Sequence, residues 1–478
     1  MYMSGTEEII SLVVDIGSHT TRAGFAGEEG PKQLWNSCAG LPLTSVSWDT
    51  PTLCDSIPSW GVEKLLYPLN FHEKRENCAV KPCLFLGEDG QHQMHDDVFE
   101  KIVAYTCEGS PAGRSLPASS LLDKEGMVEN EWNYKIHGLG AALQEYPVLL
   151  SEPTRPSRAV RQKMTEIMFE KFDSPAMYLA KRAMLSTFAM GRSSGLIVDI
   201  GAGVLSIAPI LDGYVRGAQA LEYPVAGDML DMQFSHILAE HSIPLHPTYA
   251  VKRLLNDSGK VYTVQKMDCS HVHTSYLHYS QYETVRNLKE AICKVAEEGN
   301  DIQLAQSNSS LSSGPSPSII PFTNIQFNEL PDGTRLEPEE FMYKVPEILF
   351  TPNLIKASNS QLVRNFKGLP TAIAQCILQC EMETRKDLLN AIILTGGTSL
   401  LAGLVDRLTR SLQGREDLFG VMAPTKIRLL SPNTSIEKKF STWVGGSILA
   451  SLGSFHQMWI SKEEYKEHGP HIVERKCN

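Results

Sequence analysis

Three short segments carry residues able to act together on one ligand: Asp15-Ile16-Gly17-Ser18, Asp199-Ile200-Gly201-Ala202-Gly203 and Thr395-Gly396-Gly397-Thr398. In each, glycine follows an apolar run, and glycine lets backbone N–H groups approach phosphate oxygens with no side chain between. Asp15 and Asp199 stand beside the first two turns. They can orient a hydrated Mg²⁺, an ion that keeps several waters and takes few protein ligands. Arg22 can add positive charge to the same phosphates. One glycine turn alone is more often structural than functional. The three together point to a phosphate cradle.

A cradle of this kind needs elements that hold its turns face to face. Ile9 to Val14 reads as an apolar strand, Gly17-Ser18 as a turn and Ala23 to Gly27 as the returning strand. Gly195 to Ile210 repeats the layout, with Asp199 to Gly203 at the bend. Two such units far apart predict a duplicated α/β architecture with a cleft between its halves. Between them, Arg158 to Met190 reads as helical, with Met164, Ile167, Met168 and Phe172 on one face. Ala391 to Thr395 makes a third strand, and Leu400 to Leu412 a helix striped by Leu401, Leu404, Val405 and Leu408. A helix around Ser461 to Glu467 and a short tail follow. Residues 34–120 show no sustained period and read as a loop-rich subdomain, and residues 303–318 as a flexible surface insert.

The chain has 478 residues, 42% hydrophobic and 21% charged, enough for more than one packed core. A net charge of −11 argues against gripping nucleic acid directly, because phosphate binding needs a basic surface. The N-terminus is acidic and reads as no secretory signal, and no apolar run approaches the about 20 residues of a membrane helix. A soluble, intracellular chain with ten free thiols is the expectation.

Longer stretches carry a resemblance. Val14 to Ser18 followed by Arg22 to Gly27 is similar to the first phosphate loop of the actin family. Lys163 to Glu170 running on to Pro175-Ala176-Met177-Tyr178, Glu329 to Gly333, Pro346-Glu347, Trp443 to Leu452 and Gln457 to Lys462 resemble further actin segments. The likeness covers most of residues 10–30, 130–235, 280–295 and 325–478, and fails over 34–120 and near 300. It implies an α/β actin-like ATPase-domain fold, two duplicated halves in four subdomains around a central nucleotide cleft. Residues 1–195 with 440–478 would form one half, its second subdomain at about 34–120. Residues 196–439 would form the other, with its outer subdomain at about 228–325.

Carried over by position, Gly17, Ser18, Gly201 and Gly203 would face the phosphates of ATP or ADP, and Asp15 and Asp199 would hold Mg²⁺ or Ca²⁺ through water. Arg286, Lys289 and Glu290 would lie beside the adenosine, with Gly227, Gly396, Gly397, Thr398 and Lys439 lining the rest. Without the resemblance, Arg286 to Glu290 reads as a solvated helix face.

The departures carry the functional expectation. Where the family positions water with a glutamine, an aspartate and a histidine, this chain has Arg182, Ala202 and Ser206. Alanine accepts no hydrogen bond, arginine offers only donors, and serine lacks the imidazole's proton relay near neutrality. Positioning and electrostatics dominate phosphoryl transfer, so efficient hydrolysis is not expected. His19 replaces a glycine of the family's first loop and adds bulk there.

Within the family the chain most resembles the nuclear actin-related protein 4 class, through Asp15 to Ser18, Asn433 to Trp443 and Ile472 to Cys477. That resemblance implies a nuclear, nucleotide-bound, non-catalytic subunit. It would pair with actin on a helical scaffold segment of a chromatin-remodelling ATPase or an acetyltransferase subunit. Histones are a further contact suggested by the acidic charge. No compact basic cluster marks nuclear import. An ATP-hydrolysing, filament-forming cytoskeletal relative is the alternative, and a sugar-kinase or chaperone-type ATPase of the same superfold a third.

Other signals are set aside. Cys269-Ser270-His271-Val272-His273 has no partner cluster to complete a zinc site. Cys376 and Cys380 read as core or interface thiols, and no catalytic triad can be assembled from local spacing. Ser151-Glu152-Pro153 with Arg155 and Arg158 reads as a helix start rather than a basic patch.

Overall fold

A computed structural model describes residues 10–43, 62–109, 138–255, 262–296, 329–336, 341–356, 360–413, 419–420 and 426–477. The insert expected at 303–318 lies outside these residues.

Leu12–Ile16 (β1) is buried at every position, as expected of a central strand covered on both faces. It pairs antiparallel with Thr20–Phe25 (β2), and β2 with Gln33–Asn36 (β3). Two hairpins follow, Cys38–Pro42 (β4) with Cys78–Pro82 (β5), and Leu84–Leu86 (β6) with His92–Met94 (β7). On its other side β1 runs parallel to Val148–Glu152 (β8), which runs parallel to Ala176–Lys181 (β9).

The second sheet repeats the plan. Gly195–Ile200 (β10) pairs antiparallel with Leu205–Leu211 (β11), which carries the short strands Tyr214–Val215 (β12) and Leu221–Tyr223 (β13). After an outlying hairpin of Val251–Leu255 (β14) and Tyr262–Lys266 (β15), Ile392–Thr395 (β16) runs parallel to β10 and Leu429–Leu430 (β17) parallel to β16. Ile460–Ser461 (β18) returns to the edge of the first sheet beside β9. In the two hairpins Asp15 stands opposite Arg22, and Asp199 opposite Ser206.

Two apolar cores match the two sheets, one built around β1, β8 and β9 and one around β10 and β16. The helices that bear on the cleft and its supports are, in chain order, Asp96–Glu108 (α1), Arg158–Glu166 (α2), Arg182–Ala189 (α3), Gly227–Glu240 (α4), Thr274–Ile292 (α5), Leu369–Leu378 (α6), Leu404–Leu412 (α7), Ser435–Ser451 (α8), Lys462–His468 (α9) and Ile472–Lys476 (α10). Among the described residues no helix is long and apolar enough to cross a membrane.

Helix α8 carries the chain from the second sheet to the first. Thr434 and Glu437 close a capping box at its start, satisfying orphan N–H groups. Trp443 is fully buried, and its Nε1 donates to the Val13 carbonyl of β1 at 3.0 Å. Trp443→Phe is expected to cost about 2–3 kcal/mol, from the lost ring volume and a stranded acceptor. The urea midpoint measures this, and an unchanged midpoint would remove Trp443 from the fold's supports.

Three expectations are corrected. Residues 34–120 are not uniformly irregular: β3 joins the main sheet, and α1 buries Val98, Phe99, Ile102 and Val103 in the first core. The segment 158–190 is not one helix. Asp173 adopts φ 54, Pro175 follows, and Met177 to Ala180 form the interior of a buried parallel strand. Ser151 and Glu152 end β8 instead of starting a helix, which begins at Arg158 after the N-cap Ser157. The short tail packs onto the first core: α10 buries Ile472 and Val473, and Arg161 donates to Glu152, Glu474 and the Cys477 carbonyl.

Candidate nucleotide cleft

The glycine turns close alike in both halves. Gly17 N–H donates to the Thr20 carbonyl at 2.9 Å, and Gly201 N–H to the Val204 carbonyl at 3.1 Å. The turns touch, because a Cβ on Gly203 would stand 2.9 Å from Ser18 Oγ. The start of α4 props the second turn, with Gly227 N–H on the Gly201 carbonyl and Asp228 N–H on the Ala202 carbonyl. Thr398 Oγ1 donates to the Gly201 carbonyl at 2.7 Å, tying in the third turn, where Gly396 takes φ 92.

Together these turns floor a cavity of about 730 Å³ between the two sheets. Asp15, Gly17, Ser18, Arg22, Asp199, Gly201, Gly227, Arg286, Lys289, Glu290, Gly396, Gly397, Thr398 and Lys439 all line it, as do Arg182, Ala202 and Ser206. Gly203 does not line it and instead makes the close approach to Ser18.

The face of α5 that lines the cavity is not a solvated one. Lys289, with its side chain 7% exposed, places Nζ 2.6 Å from Asp231 and donates to the Gly227 carbonyl at 3.1 Å. Arg286 reaches Asp228, Asp231 and Glu283.

Sequence reasoning placed neither Glu283 nor Ser151 in the cleft. His19, from the first turn, pairs with Arg286 and lies 3.5 Å from Glu283, so its bulk points across the cleft to α5. Burial alone would push Glu283 up, but the His19 hydrogen bond and the Arg286 guanidinium hold it at about 2. A second bridge joins β7 to β13, with His92 Nε2 2.9 Å from Glu222 and both side chains 6% exposed. These pairs lie more than a hundred residues apart in sequence, beyond any local pattern.

Asp15 is 1% exposed and fully engaged. Ser151 Oγ donates to Oδ1 at 2.5 Å, and Arg22 Nη1 to Oδ2 at 2.5 Å. Arg182 Nε stands 3.5 Å from Oδ1 while its Nη2 donates to the Ile16 carbonyl. Burial would raise this carboxyl, and the two guanidiniums hold it below the usual range. Burial pushes Asp199 up to about 6 against the pull of Arg182.

Of the hydrolytic positions, Ser206 Oγ donates to Thr154 Oγ1 at 2.9 Å, Ala202 has no functional group, and Arg182 is turned to Asp15. Near Thr154 a second cavity of about 410 Å³ is lined by Arg155, Arg158, Arg161, Lys181 and Glu474, with Arg161 paired to Glu152 and Glu474. The segment around Cys269 builds helix start instead, with His273 Nδ1 accepting from Ser275 N–H at 3.2 Å.

Duplicated sheets meeting over paired glycine turns define a two-lobed actin-like ATPase fold. The actin family profile matches residues 6–478, and the chain belongs to the actin family. It is 31% identical over 484 residues to actin-related protein 4 of Arabidopsis thaliana, covering 99% of this chain and 100% of that one. It is 31% identical to actin-related protein 4 of Oryza sativa subsp. japonica over the same shares. Against actin-related protein 4 of Emericella nidulans it is 30% identical over 499 residues, covering 99% of this chain and 97% of the relative.

The family fold binds a nucleotide and a divalent cation. The residues here fit the nucleotide: the N–H groups of Ser18, Ala202 and Gly203 make no hydrogen bond among the described residues. A Cβ on Gly397 would meet open space. They do not suit the cation, because Ser151 and Arg22 each hold one Asp15 oxygen and the Arg182 guanidinium adds a second fixed positive charge 3.5 Å from Oδ1.

Proposed function

We propose that this chain is a non-hydrolysing, ATP- or ADP-binding structural subunit of nuclear chromatin-remodelling or histone-acetyltransferase complexes. In this reading it pairs with actin along a helical scaffold segment, and its halves are 1–195 with 440–478 and 196–439. The roles expected for the residues that line the cleft belong to the same proposal, with phosphates facing Gly17, Ser18 and Gly201 and adenosine beside Arg286, Lys289 and Glu290.

The observation that carries it is the group around the phosphate end of the cavity. Arg182 faces Asp15, Ala202 offers no acceptor, and the Ser206 hydroxyl is spent on Thr154. These three residues bring no carboxylate or imidazole of their own, and the His92 and Glu222 side chains that line the same cavity are bonded to each other, while positioning supplies most of the rate in this chemistry. Full-length similarity to actin-related protein 4 supports the assembly role.

Purified protein is expected to retain nucleotide without turning it over, and to show no salt-induced rise in light scattering with Mg²⁺ and ATP. Affinity purification from nuclear extract is expected to recover actin with a remodeller or acetyltransferase scaffold. Sustained phosphate release, prompt filament growth, or recovery of cytoskeletal partners alone would overturn the reading.

A further inference from the structure

Two guanidiniums sit where a cation's charge is needed. Arg22 lies opposite Asp15 in the β1–β2 register and binds its Oδ2, while its Nη2 donates to Thr20 Oγ1 at 3.1 Å and its plane rests over Phe440. Arg182 starts α3 and approaches the other carboxylate oxygen, anchored by the Ile16 carbonyl. Both arginines line the cavity with Asp199. The Nε atom of each is buried and makes no hydrogen bond among the described residues.

We propose that Arg182 and Arg22 supply the positive charge that a divalent cation would bring to this cleft, so that the chain holds its nucleotide without a metal.

The charges support this. Two carboxylates already face two guanidiniums, which do not deprotonate in proteins. A dication entering there would have to displace Arg22 from Asp15 or sit against two fixed positive charges. Arginine's planar fork also suits phosphate oxygens, which a strongly hydrated ion reaches mostly through water.

The inference rests on nucleotide binding, and the test separates the two. ATP affinity of the full chain is measured by calorimetry in EDTA and in excess Mg²⁺. The wild type is expected to differ by no more than about threefold between buffers, whereas Arg182→Gln weakens at least about tenfold in EDTA and recovers with Mg²⁺. Arg182→Lys, which keeps a charge but loses the fork, should bind more weakly yet remain indifferent to Mg²⁺. ATP binding by the wild type only with Mg²⁺ would overturn this inference and leave nucleotide binding standing. Binding in neither buffer would overturn both. If Arg182→Gln fails to fold, Arg182→Lys decides: indifference to Mg²⁺ supports the inference, and dependence on it overturns it.

Discussion

Asp15→Asn is expected to remove about 3–5 kcal/mol of stability from the nucleotide-free protein, the cost of leaving buried charges without their partner. The asparagine keeps the shape and the Ser151 contact, so the loss reports the missing charge opposite Arg22 and Arg182 together with an amide N–H₂ turned toward the Arg22 donor. Urea unfolding measures it, and saturating ATP is expected to restore part of the loss because phosphates then face the same guanidiniums. A midpoint equal to wild type without nucleotide would show that the arginines need no counter-charge. Asp199 supplies the contrast. Burial raises its pKa from 3.8 to about 6, so the folded state holds its proton more tightly than the unfolded chain. Stability is therefore lost as pH rises from about 4 to about 6, and Asp199→Asn should abolish that slope at little cost.

Gly445→Ala is expected to be the most damaging small substitution in α8. An added Cβ would fall far inside van der Waals contact distance of the Leu185 carbonyl oxygen of α3, and backbone cannot rotate aside as a side chain can. The helices must separate, at about 3 kcal/mol or more, the upper end of overpacking. The damage should reach the cleft as well, because Arg182 opens α3 and would be drawn from Asp15. Urea midpoint and ATP affinity should fall together. Gly453→Ala, whose Cβ would meet nothing within 4 Å, is the control and should stay near wild type. Equal behaviour of the two variants would show that the close helix contact is not needed.

The first two turns were legible in the sequence because everything that makes them is local: an apolar run, an aspartate and a glycine within five residues. Asp15 and Arg22 belong together for the same reason, through the hairpin register. The strand β9 was misread as helix because a strand buried on both faces loses its alternation, leaving Met177 to Ala180 as a plain apolar run. Helix α1 was missed among short hairpins, although Val98, Phe99, Ile102 and Val103 share one face. Ser151 on Asp15 and Glu222 on His92 depend on sheet neighbours brought together from 136 and 130 residues away, a relation no window along the chain contains.

The cross-cleft contacts set a clock. His19 with Arg286 and Glu283, and His92 with Glu222, join parts of the chain that the backbone connects only by long detours. A guest trapped behind them departs only when those bolts are drawn, and every about 1.4 kcal/mol they hold lengthens its stay tenfold. On the reading proposed above, the bound nucleotide resembles a keystone set once during construction rather than fuel consumed in service.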